Sequence, residues 1–503
     1  MPSQILTLML LTSMLVYAYA LEGRIMADFV GRKQYLDALN GELEQARRTG
    51  EGRFVSMRGR RRVGKSRLVE EFLRRQEVPV PHVFFTASRQ PSGRELSLFA
   101  EEVAGSDLPA AEVVRGGLTF DSWDAALSLI ASTADPSSPA VVVMDEFPYL
   151  VEADPAVEGT LQKVWDRRLS RVPVLLILVG SDVSMMTALT EYGRPLYGRP
   201  TREMVIEPFD PAETADMLGL SAADAFDAQL VTGGFPLIAQ SWGRGNDLWG
   251  FLSEALSNPT SPLIVSGERV LAAEFPVEAQ AREVLRAIGA GETTFTAISR
   301  LAGISGTPLA RSLELLVERK RVVSADRPLS TRPSRETRYH VADPYLRFWL
   351  RFVGPGIEEV ERGRGELVVK EVRGSWTGYR GKAVEPLVRD AIERMLPEDR
   401  FGKARYVGGY WTRTNDVEVD LVGADREARP RKVEFVGSIK WWERAPFDRR
   451  DLAHLVSQTP RIPGTDAETL TVGVSRSGFD AEDLDAKLGP EELLDAWRTS
   501  SGP

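Results

Sequence analysis

An α/β fold on a parallel sheet is the architecture this sequence predicts, and three observations predict it. Gly59-Arg60-Arg61-Arg62-Val63-Gly64-Lys65-Ser66 is a complete G-x-x-x-x-G-K-[ST] phosphate-binding loop. The loop lies between a strand-like run, Arg53 to Met57, and a helix-like run, Ser66 to Gln76. Ala140 to Met144 and Val174 to Val179 are unbroken apolar runs, as strands buried on both faces require.

Composition narrows the function classes. The chain has 503 residues, which suits about two to four domains. Its 43% apolar and 27% charged content excludes a disordered or fibrous chain. Net charge is −9, so any nucleic-acid contact has to be a local basic patch. Cysteine is absent, which excludes disulfides, thiol nucleophiles and cysteine metal sites. Histidine occurs only at His82, His340 and His454, too few for a multi-histidine metal centre.

Residues 1–27 form an apolar extension with three readings. Ala18-Tyr19-Ala20 resembles a signal-cleavage site, but no Lys or Arg precedes Arg24. The apolar run is short for a spanning helix. Alternatively Met26 is the true start, because the domain begins directly after it. A cytoplasmic location is expected, with membrane association left open by this segment alone.

Residues 28–210 alternate strands and helices and read as the core. Val83 to Ala87 is a further strand there. Residues 211–277 read as a helical lid, broken at Gly233-Gly234-Phe235-Pro236. Residues 278–341 form a separate unit, 342–375 an aromatic-rich connector, and 376–503 a mixed α/β domain.

The loop names the ligand. Gly59 and Gly64 let backbone N–H groups turn inward onto phosphate oxygens, with Val63 beside them. Lys65 reaches the β- and γ-phosphates of ATP, and the Ser66 hydroxyl is placed for Mg²⁺. The N-terminus of the following helix, with Arg67 in its first turn, adds its dipole. Val141-Val142-Val143-Met144-Asp145-Glu146 delivers two acids at a strand's carboxyl end. Asp145 is placed to hold Mg²⁺, directly or through water. Glu146 sits where a general base deprotonates the attacking water. The strand ending at Gly180 puts Ser181 in a position to sense the γ-phosphate, or else it is a simple turn signal. Arg194 and Arg199 follow on a glycine-rich loop. An arginine near the γ-phosphate neutralises transition-state charge, and Arg199 is the favoured candidate.

These motifs occur in a recognisable order. Phe29-Val30-Gly31-Arg32, the phosphate loop, V-V-V-M-D-E, L-V-G-S, P-L-Y-G-R, Glu207-Pro208-Phe209 and G-G-F-P resemble the archaeal-type ATPases, relatives of the AAA+ and STAND groups. The resemblance spans roughly residues 28–350. It implies a P-loop NTPase core in which Val30, Gly31 and Arg32 lie near the adenine and Pro236 closes over the base. Read chemically, Pro236 is equally a helix break.

Residues 278–341 read as three helices, Ala279 to Gly289, Thr296 to Ala302 and Thr307 to Glu318. Two strands follow, Arg321 to Val323 and Thr337 to Val341. That is a winged helix-turn-helix. It holds 11 Lys or Arg against 7 Asp or Glu, a basic unit in an acidic chain. Arg321, Arg327, Arg332, Arg335 and Arg338 make the wing a candidate DNA-backbone contact, or a packing module with solvated arginines.

The run from Tyr339 to Trp349 resembles the Y-x-x-x-D-P-x-x-x-F-W signature that precedes a C-terminal domain of unknown function in these ATPases. That domain is similar to restriction-endonuclease-like nucleases. The resemblance implies metal-binding acids at Glu385, on a helix from Lys382 to Met395, and at Asp420, with Lys440 assisting water. Ser438 stands where the family has Glu, and serine is a poor Mg²⁺ ligand. Glu434 shares its strand face but lies about 13 Å along the strand. A degenerate, non-cleaving domain is therefore expected. Trp441 and Trp442 suit either stacking or core filling, and core is the favoured reading.

The expected protein is a Mg²⁺-dependent ATPase whose nucleotide state controls the winged helix and C-terminal domain. The alternative is a DNA-binding protein or nuclease with ATP as a regulatory ligand. A protein partner and oligomer formation are both compatible with this reading; a membrane partner is not expected.

Overall fold

The computed structural model describes residues 29–275 and 279–499. The apolar extension expected at 1–27 lies outside them. Among the described residues, no helix is long and apolar enough to cross a membrane.

The core is a parallel sheet in the order β2-β3-β4-β1-β5. Its strands are β1 (Arg53–Arg58), β2 (His82–Thr86), β3 (Ala140–Asp145), β4 (Val174–Gly180) and β5 (Arg202–Val205). Every residue of β3 and β4 is buried, as their unbroken apolar runs require. Alternation sends Val141, Val143, Leu175 and Ile177 to one face. There they meet the helices Lys33–Thr49 and Lys65–Arg74. Val142, Met144, Leu176 and Leu178 face Ser92–Gly105, Trp123–Thr133 and Ala156–Arg167. The carboxyl ends of β1, β3 and β4 therefore open side by side, with both faces of the sheet closed.

The segment expected as a lid is helical: Pro211–Leu218, Ala222–Thr232, Pro236–Trp242, Leu248–Ser257 and Pro262–Glu274. Gly233 and Gly234 break it with φ of 59° and 69°. A Cβ on Gly233 would overlap Tyr345, and one on Gly234 would overlap the Phe209 backbone. The break is thus where the core, the lid and the chain beyond the wing touch.

Three helices, Ala279–Gly289, Phe295–Ala302 and Gly306–Glu314, precede the antiparallel pair β6 (Val323–Asp326) and β7 (Arg338–Val341). The first wing strand begins later than the sequence suggests, because Arg321 has φ 53° and serves as the turn into it. The wing is not free-standing. Leu329 N–H donates to the Gly409 carbonyl at 2.8 Å and Thr331 N–H to that of Pro463 at 3.1 Å.

The segment expected as an aromatic-rich connector, 342–375, comes next. It is helical, as Pro344–Phe348, Trp349–Val353, Gly354–Glu361 and Gly365–Ala383, so the boundary at 375 falls inside a helix. The expected helix from Lys382 to Met395 is two helices meeting at Val384, because Pro386 fits only the first turn of the second, Glu385–Met395. A mixed sheet follows in the order β12-β11-β10-β9-β8. It comprises β8 (Tyr406–Trp411), β9 (Glu418–Ala424), β10 (Val433–Lys440), β11 (Leu470–Ser475) and β12 (Ala486–Leu488). The first three are antiparallel and the last three parallel.

The lid helix Ala222–Thr232 packs on this last domain. Phe226, fully buried, meets the rings of Trp441 at 5.2 Å and Trp497 at 5.7 Å. Trp441 is thus core as expected, but Trp442 is 40% exposed, with the Lys440 ammonium 5.3 Å from its ring centre. Phe226→Ala is expected to lower unfolding free energy by about 3–5 kcal/mol. Denaturant titration checks it; a loss under about 1 kcal/mol would mean that this packing contributes little.

Candidate functional site

The phosphate loop runs from β1 into the helix Lys65–Arg74. Gly64, at φ 89°, makes the turn that aims this helix N-terminus into the loop. Lys65 is 6% exposed, and its ammonium donates to the carbonyls of Gly59 (2.8 Å) and Arg60 (3.0 Å). Burial pulls its pKa down to about 8, against the opposing pull of Glu146 and Asp145.

Ser66 Oγ donates to Asp145 Oδ2 at 2.7 Å. The two proposed Mg²⁺ groups, seventy-nine residues apart in the chain, are therefore in direct contact. Burial raises the Asp145 pKa, while Ser66 works against it. Two hard oxygens at one point fit Mg²⁺ by donor chemistry. Glu146 follows with φ 52°, a left-handed conformation costing of order 1–3 kcal/mol that turns its side chain off the strand line. Its carboxylate accepts from Ser181 Oγ at 2.9 Å and Ser181 N–H at 3.3 Å. β3 and β4 are neighbours, so Ser181 and Glu146 leave adjacent strand ends. Lys65, Ser66, Asp145, Glu146 and Ser181 thus form one group.

The remaining candidates divide. Pro236 lies against the loop: a Cβ on Gly64 would meet its Cγ at 3.9 Å. Val30 and Gly31 lead into Arg32, whose N–H donates to Glu213 Oε1 at 2.6 Å. The Arg32 guanidinium is committed to the carbonyls of Glu207 and, at 3.1 Å, Val63, and lies 4.7 Å from the Phe209 ring centre. Buried to 4% exposure, it acts as a strut between loop and lid. Arg67 points along its helix to Glu70 at 3.4 Å. Arg199 does not join the group. It pairs with Asp166 at 2.9 Å, while Arg194 pairs with Glu158 at 2.5 Å. Both acids lie on Ala156–Arg167, and that helix holds the glycine-rich loop.

The sequence reads the run Arg60-Arg61-Arg62, in the loop's variable positions, as added positive potential pointing to solvent or to the neighbouring domains. Each member has a separate partner. Arg60 pairs with Asp343 at 2.5 Å, just beyond the wing. Arg61 donates to Ser181 Oγ at 3.3 Å and to the Tyr149 hydroxyl. Arg62 donates to Ser266 Oγ of the lid at 2.9 Å. Only the excess of arginine in the motif's variable positions hinted at this. A cleft of about 3200 Å³ joins the loop, Glu146 and Ser181 to the wing, with Arg321 and Arg327 on its far wall.

The nuclease-type residues come together only in part: Glu385 and Asp420 lie close enough to interact and Ser438 reaches Asp420, but Lys440 and Glu434 turn elsewhere. Glu385 pairs with Lys382 (3.1 Å) and Arg389 (2.9 Å). Asp420 accepts from Ser438 Oγ (3.1 Å) and Ile439 N–H (2.9 Å). Lys440 turns to Asp451 at 3.1 Å. Glu434 packs by Gly402 instead of substituting for Ser438. Among the described residues no three acids or histidines are grouped to hold a metal. The wing's Arg338 also reaches into this cluster, 3.0 Å from Glu418.

Residues 29–228 match a family described as an ATPase domain predominantly from Archaea. Residues 349–452 match a family of archaeal and bacterial proteins of unknown function. An uncharacterized protein of Methanocaldococcus jannaschii is 22% identical over 441 residues, covering 87% of this chain and 93% of the relative. The Walker-type ATPase of Pyrococcus abyssi has a TM-score of 0.44 at 20% identity, over 65% of this chain and 97% of that one. The ORC2 protein of Aeropyrum pernix scores 0.42 at 15% identity, over 68% and 97%.

The lowered Lys65 pKa is directly observable. In ¹³C-lysine NMR one resonance is expected to titrate near pH 8, charged below and neutral above. Nucleotide phosphates favour the charged form, so saturating ATP moves that midpoint upward. A free-protein midpoint at the ordinary value of about 10 would contradict the burial.

Proposed function

We infer that this chain, whose residues 29–228 match the ATPase domain family predominantly from Archaea, binds ATP with Mg²⁺ and hydrolyses it. The nucleotide would set how the lid holds the winged helix and C-terminal domain. The observation that carries the chemistry is the 2.7 Å contact of Ser66 with Asp145, beside Lys65 and Glu146.

The residues divide the work by chemistry. The loop N–H groups and Lys65 bind the β- and γ-phosphates, so Lys65 exchanges its two carbonyl partners for phosphate oxygens. Bound Mg²⁺, held by Ser66 and Asp145, would neutralise charge on the phosphates. Glu146 takes the proton of the attacking water once its carboxylate is released from Ser181. Backbone of Val30 and Gly31, with Pro236 opposite, bounds the adenine side. The coupling reading is supported by Arg60 with Asp343, Arg62 with Ser266, and Gly233 against Tyr345. Each joins the loop or the lid break to another part of the chain.

A second reading, DNA contact with ATP as the regulatory ligand, draws on the exposed Arg321, Arg327, Arg332 and Arg335 of the wing. Arg338 is already taken by Glu418, so the footprint is smaller than its charge count implies. A protein partner or a second copy remains the other use of this surface.

Lys65→Ala is expected to weaken ATP binding at least about 100-fold, through loss of a buried phosphate-paired cation. Glu146→Gln is expected to keep ATP affinity while turnover falls about 10²–10⁴-fold. Calorimetry and phosphate release check both; unaltered turnover in Glu146→Gln would remove Glu146 as the base. ATPase rate measured with and without duplex DNA separates the second reading. Stimulation that fades as salt rises supports it, and absence of DNA binding at low salt removes it.

A further inference from the structure

The loop's middle arginine stands apart from its neighbours. Arg60 faces a carboxylate, that of Asp343, whose side chain is 7% exposed. Arg62 donates away from the sheet, to the Ser266 hydroxyl at 2.9 Å. Arg61 instead donates to two neutral groups, the Ser181 hydroxyl and the Tyr149 phenol. Its charge is close enough to Lys65 to help lower that residue's pKa, and it lines the cleft with Lys65, Ser66, Glu146 and Ser181. A guanidinium on neutral acceptors is held weakly, because bonds to an anionic oxygen are roughly twice as strong.

We propose that Arg61 is the arginine that reads the γ-phosphate, and that its contacts with Ser181 and Tyr149 are the resting brace it leaves to do so. This rests on the ATPase reading above. Arg199, the expected candidate, is held by Asp166 on another helix.

The brace has a consequence for the base. Ser181 Oγ accepts from Arg61, so its single proton points to Glu146 Oε2. The Ser181 N–H donates to the same oxygen. That oxygen therefore holds two donors, both from Ser181. A γ-phosphate draws Arg61 away and frees the hydroxyl to rotate. Arg61 then no longer fixes the hydroxyl that donates to Glu146 Oε2, so this side of the base can rearrange when a triphosphate is bound. ADP lacks the group that competes for Arg61, so the brace persists.

The test uses the full chain with Mg²⁺, measuring ATP and ADP affinity and ATP turnover for the wild type, Arg61→Ala, Arg61→Lys and Arg199→Ala. Arg61→Ala is expected to hold ADP affinity within about twofold, weaken ATP about tenfold, and slow turnover by at least about 10²-fold. Retained ADP affinity shows that the loop is folded. Arg61→Lys is expected to recover part of the ATP preference. Equal weakening of ATP and ADP, or an unchanged ATP/ADP ratio, overturns the proposal. So does a turnover loss in Arg199→Ala with Arg61→Ala unaltered. A wild type that binds neither nucleotide overturns the ATPase reading and this proposal together; a wild type that binds both while Arg61→Ala keeps its ratio overturns this proposal alone.

Discussion

Asp227 and Arg380 form the ion pair on which the arrangement of this molecule depends. Their side chains are 7% and 1% exposed and meet at 2.9 Å. Burial raises the Asp227 pKa, and Arg380 and Arg476 oppose it. A pair buried this deeply is costly to break, about 3–5 kcal/mol when one partner is lost, because the other charge is stranded. Asp227 lies on the lid, and Arg380 on the long helix that enters the C-terminal domain. The pair therefore ties the part that covers the phosphate loop to the part that ends the chain. Phe226 seats its ring between Trp441 and Trp497 one residue away, adding apolar burial to the charge pairing.

From that joint the strain path to the nucleotide loop is short. The helix bearing Asp227 ends at Gly233-Gly234, and the helix opened by Pro236 starts beside Gly64. The two glycines have no room for a side chain, so a shift at Pro236 cannot be absorbed there by repacking. Arg60 and Arg62 run in parallel, from the loop to Asp343 and to Ser266. The phosphate loop thus has contacts on three sides outside its own sheet.

The C-terminal domain uses its charges for packing. Glu385, Glu418 and Asp420 carry the acidity a metal site needs, yet Lys382, Arg389 and Arg338 neutralise them from within. Arg338 comes from the wing, so the basic strand that suggested DNA contact is partly spent on this acidic cluster. The backbone bonds of Leu329 and Thr331 to the C-terminal domain bind the wing there as well.

Much of the site was legible in the chain. Lys65, Ser66, Asp145 and Glu146 were readable because a glycine turn, a strand end and a helix start each impose local residue patterns. The parallel core was readable because β3 and β4, buried on both faces, are apolar along their length up to their carboxyl ends. The fate of the arginines was not. Arg199 fits a charge-neutralising role by spacing, and Arg61 fits a filler position in a motif. Only the tertiary structure decides that Arg199 meets Asp166 and Arg61 meets Ser181, because a guanidinium at the end of a long side chain chooses its partner across the fold. The same holds for Ser438, Lys440 and Glu434, which share one strand and end on three different neighbours. Local backbone chemistry was determined by the sequence; which charges meet was decided by how separate elements pack.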